Sequence, residues 1–217
     1  MNFFRLFIYC VLLSIPSLGL QAQQETPTQL LDRVQASLVE IKTSQNTHGL
    51  GIIIDSHGII VTNTSTVANA DHIYVGLPDG QPLEAKLIYS SGADFSFIQI
   101  EPPYPLETIT WADSSQAQTG TPVLALTLAD DNQEHIMGGG ITDVTIDTST
   151  QLPTLYKIDI NFKPDDSGGP LLDPQGRLLG MVTDKQSSDD GKTYAIASNK
   201  IHQEYLQYKL NPRTSYQ

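Results

Sequence analysis

From Ser37 onward, apolar and polar side chains alternate with a period of two far more than with the 3.6-residue period of a helix. Ser37 to Lys42 alternates. Leu50 to Asp55 and Ile59 to Thr62 are two further runs, joined by the tight turn Ser56-His57-Gly58, and this pairing predicts a hairpin. More strands are predicted over 73–77, 84–89, 96–100, 123–128, 139–146, 155–160, 171–172, 177–183 and 193–197. Turn signals such as Pro78-Asp79-Gly80 and Asp173-Pro174-Gln175-Gly176 separate them. Many short strands at this spacing predict an all-β barrel or sandwich. Helices are expected only at the two ends. Thr26 as N-cap, Pro27 at the first position and Gln29 open a short helix to about Val34, and Asn199 to Leu210 is amphipathic. Glu101 to Pro105 holds three prolines, so it is excluded from a central strand and reads as the connector between two halves.

Before this pattern begins, residues 1–22 read as an export leader. Arg5 precedes an apolar run from Leu6 to Ile15, then Pro16 and a small-residue end at Gln21-Ala22. The run is short for a bilayer span and has no stop-transfer flank. The expectation is a periplasmic or secreted protein that meets the membrane only transiently, through the leader. Cys10 is the chain's one cysteine and leaves with that segment, so no disulfide braces the mature fold. About 195 residues remain, enough for one domain or a two-lobed one stabilised by its core.

Charge narrows the class of partner. The formal net charge is −12 and becomes −13 once Arg5 is removed. Such a chain repels phosphate backbones and anionic lipid, which argues against a nucleic-acid partner. The five histidines lack ligand spacing with one another, so neither a metal nor a cofactor is expected.

The most informative segment is Asp165-Asp166-Ser167-Gly168-Gly169-Pro170-Leu171. A serine followed by two glycines and a proline sits on a sharp turn, where its hydroxyl is presented and backbone can approach closely. A serine hydroxyl still needs an adjacent base to take its proton and return it to the leaving amine.

Several pieces, in order, resemble the HtrA (DegP-like) branch of the trypsin-like serine proteases, over roughly residues 31–202. Gly49-Leu50-Gly51-Ile52-Ile53-Ile54-Asp55 followed by Gly58-Ile59-Ile60-Val61-Thr62-Asn63 is similar to that family's first hairpin. Ala93-Asp94-Phe95-Ser96-Phe97-Ile98 resembles its aspartate segment, and Ala112-Asp113-Ser114, Gly120 and Val123-Leu124-Ala125-Leu126 the entry to a second barrel. Ser167-Gly168-Gly169-Pro170-Leu171-Leu172-Asp173, Gly176-Arg177-Leu178-Leu179-Gly180-Met181 and Ala195-Ile196-Ala197-Ser198 resemble the serine loop and the strands after it. The resemblance implies a trypsin-like double β-barrel with short N-terminal and C-terminal helices. Its expected bounds are an N-terminal segment 23–35, a protease-like domain 36–202 (first barrel about 36–100, second about 108–198) and a tail 203–217. No PDZ module is expected.

The resemblance also assigns the site, with two departures. Ser167 takes the nucleophile's place and Asp94 the aspartate's. The histidine should follow Thr62-Asn63, but the run is Thr62-Asn63-Thr64-Ser65-Thr66-Val67, which puts Ser65 where the histidine belongs. His48, His57, His72, His135 and His202 fall in other segments. Losing the histidine of a Ser-His-Asp triad costs on the order of 10⁶ in turnover, about 8 kcal/mol of barrier. The oxyanion hole implied by the resemblance uses the N–H groups of Ser167 and Asp165. A non-glycine at 165 restricts the backbone, and its carboxylate would oppose a developing negative charge. Asp94, without its usual partner, is expected to find donors among Ser65, Thr64 and Thr66. Asn161 to Pro164 and Met181 to Thr183 would line the primary pocket.

Two functions follow from these residues. One is a pseudoprotease that binds a polypeptide or an envelope protein partner between its barrels without efficient cleavage. The other is a working serine endopeptidase with Ser167 as nucleophile and a different base.

Overall fold

In the computed structural model, which describes residues 27–77, 80, 82–128, 134–162, 167–183 and 193–212, the period-two runs close into two barrels of six antiparallel strands. The first comprises β1 (Leu38–Thr43), β2 (His48–Asp55), β3 (Ile59–Asn63), β4 (Ile73–Gly76), β5 (Pro82–Ser90) and β6 (Phe95–Gln99). The second comprises β7 (Pro122–Leu128), β8 (Glu134–Ile146), β9 (Pro153–Ile158), β10 (Pro170–Leu172), β11 (Leu178–Thr183) and β12 (Thr193–Ala197). Strand order is β1-β2-β3-β6-β5-β4 in one and, read from β7, β7-β8-β9-β12-β11-β10 in the other. The two barrels therefore share one connectivity. Closure is completed by pairing β1 with β4 and β7 with β10, so neither sheet presents an open edge.

Simple alternation understates the burial of the strands facing the interface. All five residues of β3 and all six of β11 are buried. Ile53, Ile60 and Ile98 point into the first barrel, while Ile52, Val61 and Phe97 point toward the second. There they meet Leu126, Leu172, Met181 and Ile196 in one cluster. A strand packed on both faces reads as a continuous apolar run. That is how Ile52-Ile53-Ile54 and Ile59-Ile60-Val61 read.

Among the described residues, three α-helices complete the fold. α1 (Pro27–Gln35) adds Leu30 and Val34 to the interface cluster, and Arg33 Nη2 donates to the Gln175 carbonyl at 2.8 Å. Gly176, at φ +70°, packs so closely on Leu30 that a Cβ there would lie 2.9 Å from it. The C-terminal helix α3 (Ser198–Leu210) runs unbroken past residue 202 and lays Ile201 and Tyr205 on the same cluster. Between them, α2 (Thr64–Val67) is a single turn not foreseen in the sequence, and a 3₁₀ turn spans Ser114–Gln116. Residues 1–22, expected as a leader, and Thr26 lie outside the described residues.

Candidate active site

The described candidate side chains lie at or a few residues beyond strand ends, which is why residues distant in sequence meet. β3 pairs with β6 so that Asn63 lies opposite Phe95, placing the β3–α2 junction against Asp94. The Thr64 N–H donates to the Asp94 carbonyl at 3.3 Å. Asp94 adopts φ +70°, a left-handed conformation that aspartate tolerates better than most residues. Behind it the hydroxyls of Thr64, Ser96 and Ser90 form a chain with spacings of 3.0 and 2.9 Å.

Asp94 is buried, and a buried carboxylate needs donors. One crosses from the other barrel: Thr183 Oγ1, at the end of β11, donates to Asp94 Oδ2 at 2.5 Å. Thr183 was expected as a pocket residue and proves to be a partner of the aspartate. Nothing in its sequence position signals that role, because the bond depends on how the barrels dock.

Ser167 opens the turn before β10 and is also buried. Its carbonyl accepts from the Leu50 N–H at 3.3 Å, tying the turn to β2 of the first barrel. Gly168 follows at φ +88°, and a Cβ there would lie 2.4 Å from the Leu50 carbonyl oxygen. Glycine is required on both counts. The Gly168 N–H donates to Val182 and the Val182 N–H to Gly169, at 3.0 and 2.9 Å, so β11 holds the turn from below.

The group against the Ser167 hydroxyl is Asn63. Its Nδ2 donates to Ser167 Oγ. Asn63 occupies the N-cap position of α2, where asparagine is favoured, yet its side chain makes no capping bond because it is turned toward the serine. Asn63 Oδ1 is buried and has no hydrogen-bond partner among the described residues. Ser65, two residues on, is an exposed residue of α2. Asn63, Ser65, Asp94 and Ser167 are thus gathered around one strand-to-helix junction, while Asp165 lies outside the described residues. In the sequence Asn63 only ends the hairpin segment Gly58 to Asn63, which does not signal where its side chain points.

Chemically, a carboxamide N–H donated to a hydroxyl oxygen occupies a lone pair and removes no proton. The histidines whose side chains are described are engaged elsewhere. Nδ1 of His57 lies 3.0 Å from Asp55, that of His72 2.8 Å from Glu84 and that of His48 3.6 Å from Glu40. His202 stacks on Trp111 with centroids 4.6 Å apart, and burial lowers its pKa.

The double barrel with a serine and an aspartate at its interface defines a trypsin-like peptidase domain. The chain matches that domain over residues 49–181, more than half its length, and belongs to the family. Within it, the similarity is to proteases of the HtrA/DegP type. The chain is 31% identical over 164 residues to a probable periplasmic serine endoprotease DegP-like of Rickettsia conorii. It is also 31% identical over 167 residues to the serine protease Do-like HtrA of Bacillus subtilis. Each alignment takes in 70% of this chain but only 32% and 37% of those proteins, so the chain spans about a third of the curated relatives it matches. Among solved structures, the HtrA-type protease AlgW with tripeptide superposes with a TM-score of 0.69, over 84% of this chain and 62% of that one, at 25% identity.

Proposed function

We propose that this chain is an exported trypsin-like pseudoprotease, which holds a polypeptide or an envelope protein partner at its barrel interface without efficient cleavage. The observation that carries the reading is the Asn63 side chain on Ser167 Oγ. The nucleophile's oxygen is in contact with a neutral amide, and Ser65 at the histidine's place has a hydroxyl no more basic than water. The similarity to relatives named periplasmic, together with the leader-like residues 1–22, supports export. Among the described residues no helix is long and apolar enough to cross a membrane.

Labelling of the mature protein with a fluorophosphonate tests the reading, since the reagent modifies only an activated serine. Ser167 is expected to stay unmodified. Asp94, buried, and Ser167, held on its glycine turn, favour a second reading as an active endopeptidase. Labelling of Ser167, together with casein cleavage that Ser167→Ala abolishes, would establish that second reading instead.

A further inference from the structure

Every strand of the closed barrels has a neighbour on each side, but β8 outruns one of its own. Over residues 134–140 it pairs with β7 alone, and β9 joins its other side only from Ile141 onward. Asp159 ends that second ladder. Its N–H donates to the Gly140 carbonyl at 3.2 Å, and its Oδ1 accepts the Gly140 N–H at 2.6 Å. Beyond Asp159 the chain turns inward, and Ile160 and Phe162 pack in the core of the second barrel.

Successive residues of an antiparallel strand direct their N–H and C=O groups to opposite sides. Gly140 directs both toward β9, so Gly138 and Ile136 direct theirs the same way. No strand among the described residues pairs with them on that side. Two donors and two acceptors are thus set out in the spacing of a strand that the barrel does not supply.

The glycines of this stretch have different reasons. A Cβ at Gly139 would lie 2.5 Å from Ile160 Cγ1, so the inward turn of the chain requires glycine there. Gly138 is exposed, and a Cβ on it would meet only Leu124, at 3.9 Å. Nothing inside the protein requires glycine at 138, although glycine weakens a strand interior. Such a position marks the close approach of another backbone. Charge narrows the choice of backbone. The exposed Asp159 carboxylate stands at the end of this edge, on a chain of net charge −12. A second copy would bring the same charge, whereas a basic segment is attracted.

We infer that the 136–140 edge of β8 binds an extended, basic polypeptide segment as an added strand. Main-chain hydrogen bonds to Ile136 and Gly138 hold it, and a lysine or arginine of the segment meets Asp159. The inference goes beyond the reading of the Ser167 site and stands whether or not that serine cleaves, because neither Asn63 nor Ser167 belongs to this edge.

Fluorescence anisotropy of the mature protein with a labelled Lys-Val-Thr-Val-Thr-Val-Lys peptide tests it. A second probe is the same peptide N-methylated at its valines and threonines, which keeps side chains and charge but removes the interior main-chain donors. A third carries glutamate in place of both lysines. The first is expected to bind, the N-methylated peptide at least about tenfold more weakly, as the loss of two or more hydrogen bonds implies, and the glutamate peptide several-fold more weakly. Gly138→Pro removes the outward N–H without touching the β7 ladder, and should weaken the first peptide to the same degree as N-methylation. Its circular dichroism is checked against the native protein, and the peptide series needs no variant to fold. No binding of the first peptide at high micromolar protein, equal binding of the N-methylated or the glutamate peptide, or unchanged binding by folded Gly138→Pro would each overturn the assignment. Sedimentation that shows a dimer of the native chain and a monomer of Gly138→Pro would give the edge to a second copy and overturn it as well.

Discussion

Thr183 Oγ1 and Asp94 Oδ2, in different barrels and 89 positions apart, are joined by a buried hydrogen bond of 2.5 Å. The bond fixes β11 against the aspartate turn and satisfies a carboxylate that has little access to water. Thr183→Val preserves shape and removes the hydroxyl. Leaving a buried acceptor short of a donor costs roughly 1–3 kcal/mol. Urea unfolding should show that loss for Thr183→Val and much less for Thr183→Ser. Equal stability of the valine variant and the native protein would mean that other donors already suffice for Asp94.

Restoring chemistry at Ser167 should require more than one change, because triad members act as a unit. Ser65→His alone still meets the non-glycine residue at Asp165, and removal of one oxyanion donor costs roughly 3 kcal/mol. The single variant is therefore expected to stay near background in casein cleavage. Ser65→His combined with Asp165→Gly should give cleavage that is lost on adding Ser167→Ala. A folded but silent double variant would show that the block extends further, and Asn63, already on the hydroxyl, is then the residue to change.

Gly168 offers a test of the turn itself. At φ +88°, with the Leu50 carbonyl where a Cβ would go, Gly168→Ala suffers both backbone strain and a backbone clash. The expected cost is upwards of about 2 kcal/mol, beyond that of an ordinary glycine-to-alanine change. Thermal unfolding measures it, and a neutral result would mean that the turn is displaced from Leu50 in solution.

The attachment of α3 to the β2–β3 turn should depend on acidity. Tyr205 O–H and Lys209 Nζ both donate to Asp55 Oδ2, at 2.5 and 2.9 Å. Burial works against ionisation of Asp55, but these bonds and those from His57 outweigh it and hold the carboxyl well below its ordinary value. A depressed folded pKa stabilises fully above the unfolded value near 3.9 and is lost as pH falls from there through the folded pKa. Asp55→Asn should thus lower the melting temperature at pH 7, and the gap to the native protein should narrow below about pH 4. A gap that does not change with pH would show that Asp55 contributes packing rather than charge.

Much of this protein is legible along the chain. The period-two runs between Leu38 and Ala197 correspond to the twelve strands, because side chains of a strand alternate between faces whatever the neighbours. Boundaries shift by a few residues: β8 begins at Glu134 rather than near 139, and β9 ends at Ile158 rather than near 160. The serine turn is equally local, since a glycine is required wherever backbone must turn at positive φ, and Gly168 does. Asp94 and the place of Ser167 are instead assigned through the resemblance of residues 93–98 and 167–173 to the trypsin-like serine proteases. What sequence leaves open is every relation set by docking one barrel on the other. Asn63 could cap α2 or reach across, and only the packing of the β10 turn on β2 directs its amide to Ser167. Thr183 ends a buried strand like many threonines, and becomes the donor to Asp94 only because the interface cluster brings β11 beside β6. Strand and turn formation are decided over a few residues, whereas hydrogen-bond partners between barrels are decided by three-dimensional distance, which no linear spacing encodes.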